Sequence, residues 1–251
     1  MLKTAPKISV RIWQPIIQML TEKMDSACLR RDAYLRRVLE VELDFLESEV
    51  AIPNSPASYD YVFKELEGFN RKLVSLALPA ELTARLNEIC ERKRIVRDAF
   101  FNRLFLLLAA PPKLVDSLLF PVSEGDWRTH VWNEWKHEGP FFQNGFYPLN
   151  PTVDPFWAVR EGLAMMAADD SHEDYTEPTT GQIIKVTRNE TGEIMLPYNV
   201  YTTLFHRKTK DGNNLLGMSC YLPDWLIPGH EAEKSYRAKS HELLAELLGV
   251  L

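Results

Sequence analysis

The sequence predicts an α+β protein whose mostly helical first half repeats one strand–helix–helix unit and whose second half is a small α+β domain with an antiparallel meander. Three observations carry this. Slid against itself by 66 positions, residues 7–43 fall on 73–109 without a gap, and seven of the 37 pairs are identical. Chance gives about two, at roughly 6% per position. Within each copy the apolar spacing switches from every second residue to every third or fourth. Beyond about residue 121 the pattern changes to tryptophan-, glycine- and proline-punctuated segments followed by short alternating runs.

The identical pairs are Ser9/Ser75, Leu20/Leu86, Glu22/Glu88, Arg31/Arg97, Asp32/Asp98, Ala33/Ala99 and Arg37/Arg103. In the first copy Ile8, Val10 and Ile12 alternate with Lys7, Ser9 and Arg11, the signature of a strand with one buried face. In the second, Val74, Leu76 and Leu78 alternate with Leu73, Ser75 and Ala77. Pro15 and Pro79 follow, where a missing amide suits the first turn of a helix. Ile16, Leu20 and Met24, like Leu82, Leu86 and Ile89, then mark a helix of about three turns. A break at 25–29 and at 92–95 precedes a second helix in each copy.

The domain plan is a first unit at 1–50, a linker at 51–69, a second unit at 70–113 and a C-terminal α+β domain at 121–251 for assembly or partner binding. The linker carries Pro53, Pro56 and a short helix near Tyr59–Leu66. Phe105–Ala110 is apolar on every side, so this helix end is expected to be buried against the C-terminal region or a second chain. Pro111 and Pro112 end it.

Composition narrows the function classes. Apolar residues at 45% and charged residues at 25% describe an ordinary globular chain, not a disordered one. No apolar run approaches the roughly 20 residues of a membrane span. No secretory leader is read at the start, and three widely spaced cysteines fit neither a disulfide framework nor a zinc knuckle, so a reducing cytoplasm is expected. The net charge of −6 argues against a coat of non-specific polyanion binding. The span 70–113 nevertheless holds nine basic residues against four acidic ones, a local +5.

A six-residue strand is not stable alone, so each unit must pair its strand with another, and the chain carries that other. The unit resembles the ribbon-helix-helix fold of the MetJ/Arc superfamily, over 7–43 and 73–109. In that family two copies, usually from two chains, form an antiparallel ribbon that enters the DNA major groove. The resemblance implies a tandem, single-chain pseudo-dimer with base-reading positions at Lys7, Ser9, Arg11, Leu73, Ser75 and Ala77. Arg11 suits guanine O6 and N7, whereas Leu73 and Ala77 offer at best contact with a thymine methyl. That departs from the family's usual polar pair of strands and implies a non-palindromic element. The family also grips phosphate at the start of its second helix, where unpaired amides and the helix dipole favour an anion. Here that maps to Arg30 and Arg31, and to Lys93, Arg94 and Arg97.

For the second half no resemblance is found. A helix with Trp127, Val131 and Trp135, a Gly/Pro-rich loop to Pro151 and a helix near 156–168 are expected. Strands are expected at 182–188, 193–196, 200–207 and 215–221, with Asp211-Gly212 as a hairpin turn, and a closing helix at 230–248. His130, Glu134 and His137 share a helix face but lack a fourth metal ligand, so solvated polar residues explain them better. Asp169, Asp170, His172, Glu173 and Asp174 lack calcium-loop spacing and read as a solvated loop. No GxxxxGK[ST], GxSxG, HExxH or CxxC motif occurs.

The expectation is therefore a cytoplasmic, nucleoid-associated binder of double-stranded DNA, a transcriptional repressor without cofactor or catalytic residues. The alternatives are a relaxosome-type DNA-processing accessory and an antitoxin-like protein adaptor that has lost DNA. An enzyme seated in 121–251 ranks below them.

Overall fold

The computed structural model describes residues 7–120, 154–167 and 172–247. The protein is α+β: eight α-helices and two small antiparallel sheets among the described residues. The chain runs β1 (Lys7–Trp13), α1 (Gln14–Ser26), α2 (Arg31–Glu49), α3 (Pro56–Glu67), β2 (Arg71–Ala77), α4 (Ala80–Lys93), α5 (Arg97–Ala109) and α6 (Pro112–Leu119). After the interval come α7 (Trp157–Ala167), β3 (Glu173–Thr176), β4 (Ile183–Arg188), β5 (Ile194–Met195) and α8 (Glu231–Leu247). Two 3-10 turns, Leu215–Met218 and Asp224–Leu226, precede α8.

β1 and β2 pair antiparallel, with Ser9 opposite Ser75, Lys7 opposite Ala77 and Arg11 opposite Leu73. Their alternation does what a period of two demands: Ile8, Val10, Ile12, Val74 and Leu76 are buried beneath the ribbon. The helices beneath it interlock. α1 of the first unit packs on α5 of the second, and α4 of the second packs on α2 of the first. Lys23 of α1 caps the far end of α5, its Nζ donating to the Leu108 carbonyl at 3.2 Å. Neither unit could bury its apolar faces without the other.

α5 is the centre of the molecule, with every residue from Ala99 to Ala110 buried. Its partners lie in the same chain: α1, β1, α3 and the Leu215–Met218 turn. Phe105–Ala110 therefore offers no face to a second chain. Arg103 is fully buried on this helix and donates to the carbonyls of Val200 (2.6 Å) and Thr203 (2.7 Å), with its guanidinium 4.0 Å from the Phe205 ring.

The linker is an organised element. Asn54 is buried, donates to the carbonyls of Arg94 (3.0 Å) and Cys220 (2.8 Å), and accepts from the Leu222 amide (2.9 Å). Ser55 caps α3, accepting from the Ser58 amide. α3 lies so close to the Leu215–Met218 turn that a Cβ on Gly217 would sit 2.9 Å from the Leu66 nitrogen. On the other side, Arg160 of α7 pairs with Glu42 (2.8 Å), Glu49 (2.7 Å) and Asp154, and lies 3.5 Å from the Phe45 ring centroid. Tyr201 donates its hydroxyl to Glu42.

The second half corrects several expectations. The meander exists as β3–β4–β5, with the strand near 182–188 in place and that near 193–196 reduced to two residues. Residues 200–207 are not a strand, because Asn199 Oδ1 accepts from the amides of Tyr201 (2.9 Å) and Thr202 (2.8 Å) and turns the chain. Residues 215–221 begin as a 3-10 turn started by the Asn214 side chain. The Asp211-Gly212 turn closes only an isolated bridge, Lys208 to Asn214. Glu173 and Asp174, expected in a solvated loop, lie in β3 and pair across the sheet with Arg188 (2.6 Å) and Lys185 (2.6 Å). The helix with Trp127, Val131 and Trp135, the triplet His130, Glu134 and His137, and Asp169 and Asp170 lie outside the described residues.

Candidate nucleic-acid interface

The face of the ribbon turned away from the core presents the six positions singled out from the sequence. Lys7, Ser9, Arg11, Leu73 and Ser75 are exposed and Ala77 is half-buried, all on the side opposite Ile8, Val10, Val74 and Leu76. Leu73 is 62% exposed, a value that marks it as an outward side chain and not a frayed core residue.

The register adds what the sequence pattern alone lacks. Ser9 is paired with Ser75, its own equivalent 66 positions on, so the repeat's two-fold relation runs through this pair. Lys7 corresponds to Leu73 and Arg11 to Ala77, yet Lys7 faces Ala77 and Arg11 faces Leu73. Each end of the ribbon thus carries one cation from β1 opposite one apolar residue from β2. The asymmetry divides the strands, not the ends.

The ribbon is held from both sides. Arg31 Nη2 donates to the Ser75 carbonyl at 2.8 Å, and Arg97 Nη2 to the Ser9 carbonyl at 3.1 Å. Asp32 accepts from the Ala77 amide at 3.0 Å. On the other flank Asn102 takes over, accepting from the Trp13 amide (2.8 Å) and donating to the Arg11 carbonyl (2.9 Å). Side chains on the strand edges also block further strand addition.

The five expected phosphate contacts divide differently. Arg30 is exposed at the start of α2, where no side chain caps the first-turn amides. Arg31 and Arg97 stand beside the ribbon, but part of each guanidinium is committed to a strand carbonyl. Arg94 is exposed, in left-handed backbone at φ 48°, and donates to the Asn54 carbonyl at 3.1 Å. Lys93 is only 6% exposed, its Nζ turned to the Ala51 carbonyl, and burial lowers its pKa. It is therefore withdrawn from any phosphate by the packing of the α4 C-terminus under the linker.

One cation was missed. Lys72 is exposed although it pairs with Ile12, whose side of the ribbon is buried, because it lies near the strand end. With Gln18, Thr21, Arg31 and Ser75 it lines a hollow of about 410 Å³ beside β2. The basic run Arg71–Lys72 was the available signal, but strict alternation assigns Lys72 to the core side.

No group of histidine, cysteine and acidic side chains able to hold a metal occurs among the described residues. No helix among them is long and apolar enough to cross a membrane. Comparison with protein-family models, curated proteins and solved structures finds no match to this chain.

Proposed function

We propose that this chain is a sequence-specific double-stranded DNA-binding protein, a single-chain pseudo-dimer of the ribbon-helix-helix kind. It acts as a transcriptional repressor by seating β1 and β2 in the major groove of an operator. The observation that carries this reading is the register of the ribbon: Lys7, Ser9, Arg11 and Ser75 share one exposed face of a two-stranded sheet whose other face is buried. A two-stranded ribbon fits the major groove, where every base pair presents a distinct set of donors and acceptors. Arg11 reads a guanine edge, Lys7 a guanine acceptor or a phosphate, and the serines adapt as donors or acceptors. Arg30 and the free amides at the start of α2 hold the backbone.

Selection from random-sequence duplex DNA, followed by footprinting, tests it. The full chain is expected to recover one element and to lose affinity steeply with salt. Arg11→Ala is expected to cost about 1–3 kcal/mol and to relax preference at one base pair, while Arg30→Ala weakens all sequences alike. Absence of salt-dependent duplex binding overturns the reading. Leu73, 62% exposed on the reading face, favours a second reading in which the same face lies on a protein partner. Co-purification of a partner together with no duplex binding selects that one.

A further inference from the structure

A cavity of about 530 Å³ lies far along the chain from the ribbon, between α6 and the segments 195–207 and 221–226. Its volume falls within the roughly 300–1,000 Å³ typical of small-molecule sites. Phe120, Tyr198, Phe205, Tyr221 and Trp225 contribute to its lining. Three features set it apart from an incidental gap in packing.

First, its wall is braced from behind. The carbonyls of Val200 and Thr203 accept from the buried Arg103, and Thr202 Oγ1 donates to the Pro197 carbonyl at 2.6 Å. Asn199 fixes the turn that begins this wall. The shape is thus set by contacts that need no ligand, as in a preformed site. Second, Trp225 lines the cavity with its ring held in place by stacking on Tyr236 of α8, 4.8 Å between centroids. A fixed aromatic face of this kind suits contact with a second aromatic ring. Third, the exposed Arg207 also lines the cavity, with no carboxylate paired to it among the described residues.

We infer that this cavity is a binding site for a small planar aromatic molecule bearing one anionic group. The aromatic walls, Trp225 among them, take the ring system, and Arg207 pairs with the anion. This site stands independently of the DNA-binding reading, since none of its lining residues belongs to the ribbon.

Anilinonaphthalene sulfonate, an aromatic anion that fluoresces in apolar surroundings, is the probe. The full chain is expected to bind it saturably at one site per chain. Ser117→Trp, which places an indole in the cavity, is expected to weaken binding at least about tenfold, and Arg207→Gln several-fold with a smaller salt dependence. Arg207 is exposed, so its replacement leaves folding intact. Absence of saturable binding by the unaltered chain overturns the proposal. Unchanged affinity in both variants also overturns it, because the dye then sits elsewhere. Loss in Ser117→Trp with none in Arg207→Gln overturns the anionic part of the ligand class.

Discussion

Arg31 and Arg97 occupy equivalent places in the two units, and each reaches across to the carbonyl of the serine at the centre of the other unit's strand. Since Ser9 and Ser75 face each other, the two guanidinia hold the middle of the ribbon from opposite edges. A strand edge that keeps its carbonyls free invites further pairing, and here a charged side chain occupies the place. The brace also fixes the height of the ribbon over α2 and α5, the two helices whose starts flank it.

Removing either brace should loosen the ribbon. A hydrogen bond from a charged donor contributes about 1.5–3 kcal/mol when sheltered. Both arginines are half-exposed, which reduces this to about 1 kcal/mol each. Urea unfolding of Arg31→Ala and Arg97→Ala is expected to show lower midpoints with unchanged slope, and faster amide exchange at Val10 and Val74, the cross-strand pair next to the braces. Unchanged midpoints would mean that the guanidinia are ordinary surface groups.

The unequal strands make a second prediction, resting on the DNA-binding reading. Leu73→Lys combined with Ala77→Arg gives both strands the same outward set and restores the two-fold relation that passes through Ser9 and Ser75. The unaltered chain is expected to select a non-palindromic element, and the double variant a palindromic one. Both changes set cations directly opposite Lys7 and Arg11, so the free chain is expected to lose up to about 2 kcal/mol of stability, which DNA binding offsets. An identical selected site for both proteins would refute the assignment of these positions.

The first half was legible because its signals are local. Alternation, then proline, then a three-to-four spacing each need only neighbouring residues, and they placed β1, β2 and the helices that follow. The second half was not, because its apolar residues are buried by distant elements and not by a pleat. Tyr201, Thr202 and Thr203 are all buried in succession, and Asn199 and Pro197 shape the chain there. At the ribbon the outward positions could be read from the period alone. The roles of Arg31, Arg97 and Lys93 could not, since their partners are carbonyls from another unit or the linker.

The buried carboxylates predict a pH dependence. Glu42 is fully buried, and burial raises its pKa to about 7 against the opposing pull of Arg160. Glu49 is raised in the same way. Between the ordinary carboxyl value and about 7 the folded state therefore holds more protons than the unfolded one. Stability falls as pH rises through that window. Thermal unfolding between mildly acidic and mildly basic pH is expected to show this fall, amounting to no more than about 3 kcal/mol from Glu42. Glu42→Gln should flatten the slope; a slope that survives the change would assign it elsewhere.

Arg37 and Arg103 stand at matching positions 66 residues apart, yet their environments differ. Arg37 is exposed on α2, whereas Arg103 is sealed within α5, and burial lowers its pKa to about 10. Its two bonds to the carbonyls of Val200 and Thr203 lie where water cannot replace them. Arg103→Met keeps much of the volume and removes the charge, but leaves both carbonyls without their donor. At about 1–3 kcal/mol for each buried unsatisfied group, a loss of about 2–5 kcal/mol is expected, less what the relief of a buried charge returns. Arg37→Met, by comparison, should change stability by less than about 0.5 kcal/mol. Denaturant unfolding of the pair measures both, and equal effects would contradict the claim that Arg103 ties α5 to the Val200 and Thr203 carbonyls where Arg37 ties nothing comparable.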